Sequence, residues 1–78
     1  MPRYLYLLEV SKVLGPEQLE ELRNELGQIF ESKDVIIEKA QLIRLHSPLE
    51  PDEGIESALR RLTGRFGPVE FRAGSRLD

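Results

Sequence analysis

Between residues 3 and 11 the side chains change face at every step. Tyr4, Tyr6, Leu8 and Val10 share one side of an extended chain, and Leu5 and Leu7 share the other. With β-favouring Tyr and Val in the run, this reads as a strand that is apolar on both sides at its centre and therefore buried on both sides. The period then lengthens. Leu19, Leu22, Leu26, Ile29 and Phe30 recur at helical spacing, which predicts a helix over residues 16–32. Pro16 suits its first position, where the missing N–H costs nothing, and Glu17, Glu20 and Glu21 favour the positive end of its dipole.

A second β-rich stretch covers residues 34–46. Val35 and Ile37 alternate out of phase with Leu42, so the pattern slips near Lys39-Ala40. Two strands, over residues 35–38 and 41–46 with a tight turn between them, explain the slip; one long strand with a bulge also explains it. The two-strand reading is the preferred one. Ile55, Ala58, Leu59, Leu62 and Phe66 then mark a helix over residues 51–66, closed by Gly67-Pro68. Val69 to Arg72 is a short last strand with Val69 and Phe71 inward. The polar residues 73–78 read as a fraying tail.

The resulting order is β-α-β-(β)-α-β. It predicts an α+β, ferredoxin-like two-layer sandwich over residues 1–72, with both helices on one face of a small antiparallel sheet and the first and third strands central. The other sheet face is left open, and it carries either Tyr4 with Tyr6 and Leu8, or Leu5 with Leu7. Large apolar groups on an open face call for a cover. Self-association through the sheet is the expected cover, with Tyr4, Leu5, Tyr6 and Leu7 as candidate contact residues. Loops or the C-terminal tail are the alternative.

Length sharpens that expectation. Seventy-eight residues make one domain. A chain this short buries only about 60% of its unfolded surface and usually needs a staple. There is no cysteine, which excludes disulfides and thiolate metal sites, and one histidine, His46, cannot form a histidine cluster. Another polypeptide is the remaining staple. The longest apolar run, from Tyr4 to Leu8, is far shorter than the roughly 20 residues a membrane span requires, and the N-terminus lacks the features of a signal peptide. A cytoplasmic location is the default expectation.

The net charge is −3, against the basic excess expected of a nucleic-acid binder. Tyr4 and Tyr6 on an open sheet could stack bases, but basic neighbours are sparse and nucleic acid is the lesser reading. Arg61 and Arg65 form an i, i+4 row on the second helix and, with Lys39, are candidates for an anionic ligand or an acidic partner. The opposing reading sets the arginine row against the acidic row Glu17, Glu21 and Glu25 of the first helix. His46 reads as structural or solvated. Gly-rich phosphate loops, metal-ligand spacings and pKa-shifting carboxylate pairs are missing from the sequence, so it points to no catalytic residue, metal or cofactor.

Three segments carry a resemblance to a family. The loop from Lys12 to Pro16 contains Val13-Leu14. Val35-Ile36-Ile37-Glu38-Lys39 is similar to a Val-x-x-Gly-Lys run, with Glu38 where glycine is usual. Gly67-Pro68-Val69-Glu70 is similar to an Asn-Pro-Val/Leu segment, with Gly67 in place of asparagine. With the length and element order, these segments resemble PurS, the small subunit of phosphoribosylformylglycinamidine synthase. The resemblance implies a non-catalytic subunit of purine biosynthesis. Such a subunit self-associates through its sheet, as a dimer or tetramer, and bridges a synthetase subunit and a glutaminase subunit. Lys39 is the one position that carries over from the Gly-Lys turn.

Overall fold

The computed structural model describes residues 3–77; residues 1, 2 and 78 of the expected domain and tail lie outside that range. Strand β1 (Tyr4–Val10) leads into helix α1 (Pro16–Ile29) and a two-residue strand β2 (Ile36–Ile37). A single 3-10 turn (Lys39–Gln41) joins β2 to β3 (Leu42–Ser47), followed by helix α2 (Glu53–Phe66) and strand β4 (Val69–Arg76). The phase slip in residues 34–46 is therefore a turn between two strands. The sheet order is β2-β3-β1-β4, with every neighbouring pair antiparallel. Two split βαβ units interleave in this order, which is the ferredoxin-like arrangement, and β3 and β1 are central.

Each element has a local cause. Gly15 precedes α1 and donates its backbone N–H to the Oε1 of Gln18 (3.2 Å), the half of a capping box that a residue without a side chain can make. Helix α1 stops three residues short of Ser32, because Glu31 turns left-handed (φ 51°) and the Ser32 N–H then bonds the Gly27 carbonyl at 2.9 Å. Asp52 caps α2 by accepting from the Ile55 N–H at 2.9 Å. Gly67 ends α2 at φ 82°, where a Cβ would stand 2.8 Å from the Cβ of Lys12. Conformation and close approach both demand glycine there.

The expected tail is corrected by β4. Ala73, Gly74, Ser75 and Arg76 continue the strand and pair with Leu7, Tyr6, Leu5 and Tyr4. The register steps between Leu7 and Leu8, which leaves Arg72 as the extra residue of a bulge. The polar composition of residues 73–76 hid the strand because an edge strand needs little apolar content when its partner supplies the ladder. Gly74 has its own reason: a Cβ would meet the Phe71 ring at 3.1 Å, and that ring packs edge-on to Tyr6 with centroids 5.4 Å apart.

Between sheet and helices lies one core. Tyr6, Leu8, Val10, Ile43 and Leu45 come from the sheet, Leu22, Leu26 and Phe30 from α1 and its cap, and Ile55, Leu59, Leu62 and Phe66 from α2. Full burial of each large apolar side chain contributes about 1.5–3 kcal/mol. The few polar groups inside are satisfied. The Tyr6 hydroxyl donates to the Leu49 carbonyl, and the Ser47 hydroxyl donates to the Phe30 carbonyl while accepting from the Leu49 N–H.

Candidate functional site

The period-two alternation of β1 resolves in one direction. Tyr6, Leu8 and Val10 face the helices, so Leu5, Leu7 and Glu9 face outward. The ladder brings Leu42, Arg44 and His46 of β3 to the same outer face, opposite Glu9, Leu7 and Leu5, and Ile36 of β2 joins opposite Arg44. An apolar band of Leu5, Leu7, Leu42 and Ile36 results; Leu7 is 38% exposed, Leu42 42% and Ile36 47%. Residues 73–76 lie beside β1 in the plane of the sheet, so the C-terminal segment widens this face and does not cover it.

The contact residues expected from the sequence are thereby corrected. Leu5 and Leu7 are on the outer face. Tyr6 is fully buried in the chain's own core, and Tyr4 is half-buried against it, their rings stacked at 6.2 Å. Neither ring lies on the open face, which removes the geometry that base stacking would use. Burial, with the negative charge of Tyr4, Asp52 and Glu50 adding to it, pushes the Tyr6 hydroxyl up to about 12. Period two could say only that the tyrosines and the two leucines lie on opposite sides. The side facing the helices was open until β3 and β4 were in register.

Charge frames the apolar band and is largely neutralised in place. On one side Arg44 pairs with Glu38 at 2.5 Å; on the other Arg72 pairs with Glu9 at 3.3 Å and Glu70 at 4.0 Å. A cleft of about 250 Å³ opens between these pairs, with Leu7 and Leu42 in its lining. At the β2 edge of the face His46 Nδ1 lies 2.8 Å from Asp34 Oδ2, and the Ser32 hydroxyl donates to Asp34 Oδ1. Slight burial pushes the Asp34 carboxyl up, but the hydrogen bonds from Ser32 and His46 and the attraction of the imidazole outweigh it. The net effect holds the carboxyl below its usual range. Leu42, Ile36, Arg44, Arg72 and Asp34 escaped the sequence reading because their shared face exists only through pairing of distant segments.

The proposed cation set does not assemble. Arg65 on α2 bonds Glu21 at 3.3 Å and Glu25 at 3.2 Å, so this arginine of the row meets two members of the acidic row of α1, as the opposing reading had it for the whole row. Arg61 borders a pocket that also contains Glu50 and Asp52, an unfavourable setting for an anion. Lys39 belongs to the turn between β2 and β3, on a different element from the two arginines of α2. Among the described residues no group of three or more His, Asp or Glu side chains is placed to hold a metal ion, and no helix is long and apolar enough to cross a membrane.

A scan against protein-family models matches no family, and a search of curated proteins finds no significant relative.

Proposed function

We propose that the chain is a non-catalytic assembly domain that associates through the open face of its sheet, first with a second copy of itself. One observation carries this reading: Leu5, Leu7, Leu42 and Ile36 form a band across a face that the described chain leaves uncovered. The four strands, two to eight residues long and about 4.8 Å apart, present roughly 360 Å² in projection. Two such faces approach the small end of specific protein interfaces. The flanking Arg44–Glu38 and Arg72–Glu9 pairs are each neutral within one copy, so a like face meets no net charge there.

The specific role proposed is that of a PurS-like small subunit, bridging synthetase and glutaminase subunits of purine biosynthesis in the cytoplasm. Its support is the three short segments around Val13-Leu14, Glu38-Lys39 and Pro68-Val69, together with the open apolar face. Sedimentation velocity tests the general reading: the wild-type chain is expected as a dimer or tetramer at micromolar concentration, and Leu7→Lys as a folded monomer. A wild-type monomer overturns self-association. Affinity capture from the native host tests the specific role, which requires both partner subunits to be recovered with the wild-type chain.

A further inference from the structure

The connection between β1 and α1 is held more firmly than a surface loop requires. Gln41, at the end of the 3-10 turn, donates from Nε2 to the carbonyls of Val10 (2.9 Å) and Lys12, and its Oε1 accepts from the Leu14 N–H at 2.8 Å. It does so from a left-handed backbone conformation, φ 56°, which side chains other than glycine adopt at a cost. The product of this clamp is a rigid loop whose apex is Val13, 88% exposed and the most exposed large apolar side chain among those described. Val13 borders a shallow surface depression shared with Glu9, Val10, Ser11 and Gln41.

Around that apex two cations lack partners. Arg44 offsets Glu38, and Arg72 is shared between Glu9 and Glu70. Lys12 and Lys39 are exposed and, among the described residues, have no carboxylate within ion-pairing distance. On a chain of net charge −3, this end therefore offers two unspent positive charges beside a fixed apolar knob. A loop serving only to connect β1 to α1 needs neither the exposed valine nor the free lysines.

We propose that the Val13 loop, with Lys12 and Lys39, is a second docking surface, and that its occupant is an acidic, apolar-bearing segment of a different protein. Opposite charge draws such a segment to the two lysines, and the clamped loop meets it without losing conformational freedom. The proposal goes beyond the sheet-face reading and does not depend on it.

The test uses the full chain and a peptide of alternating glutamate and leucine, with an alternating lysine–leucine peptide as control, followed by backbone amide NMR. The acidic peptide is expected to shift residues 11–15 and 38–41 in the wild-type chain and to be weakened by salt. The double variant Lys12→Glu/Lys39→Glu and the single variant Val13→Asp are each expected to weaken it about tenfold or more. All three positions are exposed, so these variants retain the wild-type fold, which circular dichroism verifies. Absence of binding, equal binding of the basic peptide, or shifts confined to the Leu5, Leu7 and Leu42 face overturn the proposal. The Leu7→Lys variant, which removes sheet-face association, is expected to bind the acidic peptide as wild type does, so the two readings fail separately.

Discussion

Tyr6 does two jobs that pull on the same oxygen. Its ring fills the core between Phe30 and Phe71, and its hydroxyl satisfies the Leu49 carbonyl in the loop that leads to α2. The folded state raises its ionisation to about 12 from an ordinary value of 10.0. A group raised on folding lends stability that is fully present below its unfolded value and is lost as pH climbs through the folded one. The window is therefore pH 10 to 12. Absorbance at 295 nm should show a phenol that stays protonated until close to pH 12, and Tyr6→Phe should remove that step. The same variant should cost about 1–2 kcal/mol near neutrality, because the Leu49 carbonyl loses its donor. Asp34 carries the opposite sign. Its carboxyl is lowered, so its contribution is present above the unfolded value of 3.8 and disappears as pH falls through the folded one. The stability gap between wild type and Asp34→Asn, measured by urea unfolding, should close as the buffer is taken from neutral into that acid range. A gap that persists unchanged in acid would show that the His46–Asp34 contact contributes nothing to folding.

At the scale of elements, cap and ion pair can be ranked by magnitude. Asp52 satisfies a helix N–H at the start of α2, and such caps are worth about 1 kcal/mol. Arg65 joins α2 to Glu21 and Glu25 of α1, but all three side chains are more than a third exposed. Solvent and salt hold exposed pairs to roughly 0.2–1 kcal/mol. Asp52→Ala should therefore lower the unfolding free energy more than Arg65→Ala, and added salt should shrink the arginine effect by the larger fraction, because the Asp52 hydrogen bond to the helix N–H survives screening of its charge. The elements themselves were legible where burial imposes a period. Leu22 and Leu26 mark α1, Leu59, Leu62 and Phe66 mark α2, and Tyr6, Leu8 and Val10 mark β1; all are buried. Legibility failed where burial imposes none. Residues 73–76 are polar because β4 is an edge strand, so their pairing left no trace in the pattern. The bulge at Arg72 was invisible for the same reason, and both it and the charges of Glu70, Arg72 and Arg76 also blunt this edge against stray pairing. Helix α1 ended early through the left-handed Glu31, a backbone choice with no side-chain signature.

Across the whole molecule, the sequence contained half of the candidate site and could not contain the rest. Leu5 and Leu7 announce an apolar outer side within seven residues of chain. Leu42 and Ile36 join them only because β2 and β3 fold back beside β1, and nothing local in residues 36–42 announces which of their apolar groups faces out. The distinction matters for stability, because the outer face and the inner core respond differently to protein concentration. A core side chain stabilises each copy alone. An outer-face side chain that works by pairing copies stabilises by mass action, so the thermal midpoint must rise with total concentration. Unfolding followed by circular dichroism over a hundredfold range of wild-type concentration should show that rise. Leu7→Lys should abolish it at little intrinsic cost, since Leu7 is already 38% exposed in the single chain. Leu59→Ala, in the core beneath α2, should lower the midpoint by a larger amount, typically about 2–5 kcal/mol of stability, yet preserve the slope with concentration. A flat wild-type midpoint would leave the Leu5, Leu7, Leu42 and Ile36 band as surface that this small domain keeps wet, shaded only by the Arg44 and Arg72 stems that flank it.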